Sequence, residues 1–108
     1  MRHNIESLLA FTWYARNDYE RLLEVAEDAG QLFDDYDEWL VDARRAIIKY
    51  RRQGFEPKRV LIRIDDLLDW CDSRGRPVDH TSREMYKEIR RQQFYRAVDN
   101  GVDPDEFE

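Results

Sequence analysis

Residues 58–75 read KRVLIRIDDLLDWCDSRG, and this stretch decides the predicted fold because a strand pattern passes directly into a helix pattern. Val60, Ile62 and Ile64 lie at every second position, which is the side-chain period of a β-strand. No second run of alternating β-branched residues stands out elsewhere in the chain. We therefore predict one short strand near residues 59–64, whose hydrogen-bonding partner comes from another molecule. The alternative is an extended segment whose backbone groups bond to water and side chains.

The second half of the stretch predicts a helix with one buried face. Asp65 or Asp66 can cap its first turn, because a carboxylate there accepts hydrogen bonds from unpaired backbone N–H groups. Gly75 ends the helix, and Pro77 keeps the chain from resuming it. The apolar residues have the spacing i, i+3, i+4 and i+7 and are Ile64, Leu67, Leu68 and Cys71.

Three further helices are predicted from apolar periodicity and capping residues. The first runs from Asn4 to Ala29, the second starts at Asp35 and ends near Gly54, and the last runs from Thr81 to about residue 100. The short loop between the first two predicts an antiparallel helix hairpin. The fold class is mainly α, with four helices and one strand in a single domain over residues 1–101, followed by an acidic mobile tail over residues 102–108.

Two helical patterns favour a protein partner. The first predicted helix starts apolar nearly all round, and the last one changes its apolar side halfway along. Together with the unpaired strand, these features predict a homodimer or an unidentified protein partner. The predicted interface residues are Phe11, Trp13, Tyr14, Val60, Ile62, Phe94, Tyr95 and Val98.

The charge is unevenly distributed along the 108 residues. The net charge is −6, yet residues 43–63 carry eight basic residues and one acid. Such a segment can bind nucleic acid, and it can also balance the dipole at the end of the second helix. The candidate nucleic-acid-binding residues are Arg44, Arg45, Lys49, Arg51, Arg52, Lys58 and Arg59.

No catalytic constellation is evident in the sequence. Cys71 lies on an apolar helix face, which predicts a buried, inert thiol, and His80 has no evident nucleophile to activate. The histidines and the cysteine are too scattered for zinc. Acidic residues between 24 and 42 leave open a metal-dependent nucleotide hydrolase as a third hypothesis, on Glu24, Glu27, Glu38 and Asp42.

A series of short motifs resembles a group of short uncharacterised bacterial proteins. The motifs are RLLEVAEDA, YDEWL, RVLIRI and DLLDWCDSRGRPVD, followed by Arg83 and Tyr86, and they fall within residues 11–88. The resemblance implies a single domain and carries no activity or ligand with it.

The function predicted from these patterns is a non-enzymatic interaction or regulatory module that self-associates through residues 59–64 and its apolar helix faces. Nucleic-acid binding through residues 44–63 is the alternative. We expect no cofactor and no metal. A cytoplasmic protein is expected, because no apolar run reaches the ~18 residues of a membrane span and the single cysteine cannot form an internal disulfide.

Overall fold

The computed structural model of the protein describes residues 7–107, which form four α-helices, two β-strands and two short 3-10 turns. No helix in this range is long and apolar enough to cross a membrane. The elements in chain order are β1 (Leu8–Trp13), α1 (Arg16–Val25), a 3-10 turn (Ala29–Gln31), α2 (Tyr36–Arg52), β2 (Glu56–Leu61), α3 (Ile64–Ser73), α4 (His80–Asp99) and a second 3-10 turn (Pro104–Phe107).

The first strand, β1, lies where the sequence predicts the start of a helix. That part of the prediction is wrong within the described range, whereas α1 confirms the helical second half with Tyr19 and Leu22 buried. The physical reason is that β1 is covered on both faces. A strand of that kind is apolar at successive positions, so its sequence lacks the alternation of a half-exposed strand.

β1 and β2 form a two-stranded parallel sheet, with Leu8 opposite Glu56 and Trp13 opposite Leu61. Just beyond β2, the Ile62 N–H donates to the Trp13 carbonyl over 2.8 Å. The strand predicted near residues 59–64 is therefore present at Glu56–Leu61. The prediction that its partner is another molecule is wrong, because the partner is β1.

Helices cover the two faces of this sheet. On one face Leu8, Ala10 and Val60 pack with Phe94 and Val98 of α4. On the other face two aromatic pairs join β1 to α2: Phe11 with Tyr50 and Trp13 with Trp39. The sheet thus lies between α2 and α4, and its side chains form one of two core clusters.

The second core cluster joins α1, α2, α3 and α4 around Tyr14, Tyr19, Leu67, Cys71 and Tyr86. The buried face predicted for α3 is confirmed here. This cluster also explains why α4 changes its apolar side: its first half packs into this cluster and its second half packs on the sheet. Both halves are covered by the chain itself, so the pattern does not require a second molecule.

Capping residues differ from the predicted ones at two helices. Asp79, rather than Thr81, caps α4 and accepts a hydrogen bond from the Ser82 N–H. The Ile64 N–H at the start of α3 donates to the Asp18 carboxylate of α1, so a distant residue does what Asp65 or Asp66 was predicted to do. The predicted cap of α2 by Asp35 is confirmed.

The predicted antiparallel hairpin of the first two helices is not the observed arrangement. The first turns of α1 and α2 lie together, since Arg16 forms a 2.8 Å ion pair with Asp37 and stacks on Tyr36. The end of α1 instead leads to the connection between α3 and α4, where the Glu27 N–H donates to the Val78 carbonyl. A parallel strand pair requires such a long crossover between its strands.

The C-terminal tail, predicted to be mobile, packs against the sheet instead. Pro104 is buried, and the ring of Phe107 lies 5.2 Å from that of Phe94. Lys58 of β2 donates to the Asp105 carboxylate over 2.8 Å. Aromatic contact and an ion pair together fix a segment that composition alone predicts to be free.

A buried ion pair fastens α4 to the segment that follows α1. Arg83 is 4 % exposed, and its two terminal nitrogens donate to the Asp28 carboxylate over 2.7 and 2.9 Å. Asp28 also accepts the His80 N–H, so one carboxylate joins the first turn of α4 to a distant part of the chain. Losing one partner of such a pair leaves the other charge buried and unpaired.

We expect Asp28→Ala to lower the free energy of unfolding by about 3 kcal/mol, because Arg83 loses its counter-charge. Urea unfolding at neutral pH measures the change. Glu27→Ala is the matched control: Glu27 is the exposed neighbouring acid and should change stability by about 0.5 kcal/mol or less. Equal effects of the two substitutions would contradict the role of the pair.

The same pair predicts a pH dependence of stability. Hydrogen bonds from Arg83 hold the pKa of Asp28 below its ordinary value of 3.8. The stabilisation by Asp28 is therefore present above that value and is lost as the pH falls through the lowered pKa of the folded state. In urea unfolding between about pH 7 and pH 2, we expect the stability gap between wild type and Asp28→Ala to narrow below about pH 4. A constant gap would contradict the assignment.

Candidate functional site

The residues predicted to form a partner interface lie mainly in the core. Six of them are 9 % exposed or less: Trp13, Tyr14, Val60, Ile62, Phe94 and Val98. The other two, Phe11 and Tyr95, are half-buried. Phe11 contacts Trp13 and Tyr50, and the Tyr95 hydroxyl accepts the Ala10 N–H over 2.8 Å. These eight residues stabilise the fold, and a partner cannot reach the buried six.

The predicted basic residues do not form one continuous surface. Arg44, Arg51 and Arg59 meet in one groove between α2 and β2. Lys58 lies on the opposite face of β2, where it pairs with Asp105 and Glu56. The remaining three are exposed on α2 outside the groove: Arg45, Lys49 and Arg52. The alternation of β2 and the helical phase of α2 separate residues that are close in sequence.

The arginine groove, as we call the space lined by Arg44, Arg51 and Arg59, has a volume of about 490 Å³. The other residues that line it are uncharged: Trp13, Tyr36, Leu40, Ile47, Ile48 and Pro57. Ile48 is 48 % exposed at its rim. Within residues 7–107, the groove therefore combines three guanidinium groups with an apolar floor and has no carboxylate in its lining.

A smaller cavity of about 300 Å³ shares Trp13, Tyr36 and Arg59 with the arginine groove and adds Arg16. The guanidinium of Arg59 lies 5.4 Å from the centre of the Trp13 ring, and that of Arg16 lies 4.8 Å from the Tyr36 ring. Such stacking orients an arginine side chain, and the guanidinium of Arg16 also donates to the Asp37 carboxylate over 2.8 Å. Among the described residues, the two cavities thus bring four guanidinium groups beside aromatic and apolar side chains.

Arg44 and Arg51 have no ion-pair partner within residues 7–107. Both side chains are exposed, and they lie seven residues apart on α2, so they point to nearly the same side of the helix. A carboxylate-bearing segment lying along α2 can therefore reach both guanidinium groups. Bidentate pairing between guanidinium and carboxylate gives this contact its geometric specificity.

A second region lies on the other side of α2, where two cavities share Tyr14, Trp39, Asp42 and Lys87. Burial lowers the pKa of the Lys87 ammonium, and the nearby Glu84 carboxylate opposes this effect. Burial also raises the pKa of the Tyr14 phenol, whose hydroxyl has no hydrogen-bond partner among the described residues. Charges of both signs line this region, so its electrostatics favour no single class of charged ligand.

Three of the eight acidic residues between positions 24 and 42 form contacts within the fold. Asp28 pairs with Arg83, Asp35 caps α2 and Asp37 pairs with Arg16. Within residues 7–107, no group of three or more carboxylate, histidine or cysteine side chains is placed to hold a metal ion. The structure thus offers the metal-dependent hydrolase hypothesis no set of ligands in the described part of the chain.

The single cysteine is 2 % exposed, as predicted, and burial raises the pKa of its thiol. A buried thiol with a raised pKa holds little of the reactive thiolate at neutral pH. Two polar residues near the start of α4 are also buried, since Ser82 is 0 % exposed and Arg83 is held by Asp28. Neither of these two can contact nucleic acid.

Sequence reasoning missed several residues of the arginine groove. Trp13 and Pro57 enter it only because β1 and β2 pair, and Arg16 lines the smaller neighbouring cavity only because α1 starts beside α2. One signal was available. Val41, Arg44, Ile48 and Arg51 lie on one side of the second predicted helix, next to its buried stripe, and they mix apolar with basic residues.

Comparisons with known proteins identify no relative. No protein-family model matches the chain, and neither a curated protein nor a solved structure is significantly similar to it. The function is therefore argued from the arrangement of its own residues.

Proposed function

We propose that the protein is a non-enzymatic interaction module that binds an acidic segment of a partner protein in the arginine groove. The observation that carries the proposal is a groove whose described lining contains three arginines and no carboxylate, in a chain whose net charge is −6. Self-association through residues 59–64 is not part of the proposal, because β1 already pairs with that strand.

The apolar floor of the groove favours a protein segment as the ligand. Leu40, Ile47 and Pro57 line it between the arginines, and Ile48 is exposed at the rim. Interfaces between proteins bury an apolar centre within a polar rim and are rich in arginine. A segment that alternates carboxylates with apolar side chains matches both features of this surface.

Nucleic acid fits the same groove less well. Proteins that bind single strands stack bases on accessible aromatic rings, but Trp13 is 7 % exposed and already lies beneath Arg59. Nucleic-acid binding, the alternative from the sequence, is therefore tested alongside the proposal as a competing outcome.

The proposal predicts that binding depends on the position of the arginines in the groove, and not only on the net charge of the protein. We expect Arg44→Glu with Arg51→Glu to weaken binding of a fluorescent peptide of alternating Glu and Leu by about 10-fold or more. Fluorescence anisotropy at low ionic strength measures the affinity. The matched control is Arg45→Glu with Arg52→Glu, which makes the same charge change on the same helix outside the groove and should weaken binding by about 3-fold or less.

Equal losses in the two double variants would show that binding follows the overall field and would contradict the proposal. Failure of the wild-type protein to bind the peptide at millimolar concentration would also contradict it. A single-stranded oligonucleotide that binds more tightly than the peptide, and loses affinity in both variants, would favour the nucleic-acid alternative.

A further inference from the structure

We propose that the outer edge of β1 is a second binding site, which accepts an extended peptide segment as a third strand. This inference is independent of the arginine groove, because it concerns the opposite side of α2 and main-chain hydrogen bonds instead of charge. It begins from the hydrogen-bond geometry of the parallel ladder.

The register of the sheet determines which backbone groups of β1 face outward. The Ile62 N–H bonds to the Trp13 carbonyl, and Trp13 lies opposite Leu61. In a parallel ladder, alternate residues direct both backbone groups to the same neighbour. Trp13, Phe11 and Leu9 therefore face β2, whereas the N–H and C=O groups of Leu8, Ala10 and Thr12 face away from it.

One contact confirms this assignment and shows where the edge is open. The Ala10 N–H donates to the Tyr95 hydroxyl over 2.8 Å, so the edge is closed at that point by a side chain of α4. Within residues 7–107, no hydrogen bond outside the ladder involves Thr12. The Thr12 N–H and the Ala10 carbonyl are the donor and acceptor that one residue of an added strand needs.

The open part of the edge lies in a cleft of about 360 Å³ between α2 and α4. This volume falls within the range of about 300–1,000 Å³ that is usual for ligand sites. Ala43 and Ala46 of α2 line the cleft with small side chains, while Lys87 and Arg91 of α4 line the other wall. Trp39 and Tyr50 of α2 also line the cleft, so the room for a backbone beside β1 lies at the two alanines between them.

The chemistry of the cleft favours a main-chain ligand. Among the described lining residues, Asp42 and Glu84 balance Lys87 and Arg91, so neither charge is in excess there. Unpaired strand edges are the sites at which proteins add a strand from another chain, with backbone hydrogen bonds supplying much of the affinity. The occupant is an extended segment of a different protein, because the β1 edge of a second copy would be flanked by its own two helices.

The opposite edge of the sheet is less suited to strand addition. There the outward backbone positions are Pro57, Arg59 and Leu61, by the same alternation. Pro57 has no N–H to donate, and the Leu61 carbonyl accepts a hydrogen bond from Arg90. The sheet therefore extends from β1 and not from β2.

Nuclear magnetic resonance of the ¹⁵N-labelled full chain tests the inference with a capped, uncharged heptapeptide of alternating Thr and Val. At about 1 mM peptide, we expect the Thr12 amide resonance to move downfield and its hydrogen exchange to slow about 10-fold or more. The same peptide with alternate amide nitrogens methylated should have no such effect, because it cannot form the ladder. This comparison does not depend on any protein variant.

A pair of α2 variants locates the site. Ala46→Phe fills the cleft and should weaken peptide binding about 10-fold, whereas Val41→Phe, at an exposed position of the same helix outside the cleft, should leave it unchanged. The peptide carries no acidic group, so Arg44→Glu with Arg51→Glu should not affect it, which separates this test from that of the arginine groove.

Three results would overturn the inference. They are a Thr12 amide that the peptide leaves unchanged, equal effects of the methylated and unmethylated peptides, and equal binding by Ala46→Phe and Val41→Phe. A Thr12 amide whose protection rises with protein concentration in the absence of peptide would assign the edge to a second copy and would also overturn the proposed occupant.

Discussion

The parallel pairing of β1 with β2 is the constraint on which the rest of the structure depends. Two parallel strands cannot be joined by a tight turn, so residues 14–55 must travel from the end of β1 back to the start of β2. That crossover contains α1 and α2. It also places α2 over one face of the sheet, which creates the arginine groove on one side of the helix and the cleft beside β1 on the other.

The elements that sequence reasoning predicted well are those whose signal is local. In α3 the helical spacing of Ile64, Leu67 and Cys71 is also the buried face, and Gly75 adopts a positive φ of 63° where the helix was predicted to end. β1 was missed because burial on both faces removes the alternation that marks a strand. Without β1, the short β2 had no visible partner, and the missing partner was sought in another molecule.

The same error accounts for the predicted interface. Apolar residues such as Val60 and Phe94 were read as surface because no covering element had been recognised, yet each covers the other in the core around the sheet. One helix cap also could not be predicted from the neighbouring residues. Asp18 reaches the start of α3 from α1, a contact that depends on the fold and leaves no pattern in neighbouring residues.

The sequence predicts which basic residues are available for the candidate site, but not which of them lie together. The charge of residues 43–63 identified Arg44, Arg51 and Arg59, along with four basic residues that lie elsewhere. The helical phase of α2 selects Arg44 and Arg51, and the strand alternation of β2 selects Arg59. These three arginines meet only when the two elements pack together. Their position beside Trp13 depends again on β1, so one strand pair determines both the core and the proposed binding surface.

Amide hydrogen exchange on dilute protein tests the pairing of the two strands most directly. The Ile62 amide donates within the chain to Trp13, so it should be strongly protected, and its protection should not change over about a 100-fold range of protein concentration. Rapid exchange at Ile62, or protection that appears only as the concentration rises, would contradict pairing within one chain and with it the placement of α2.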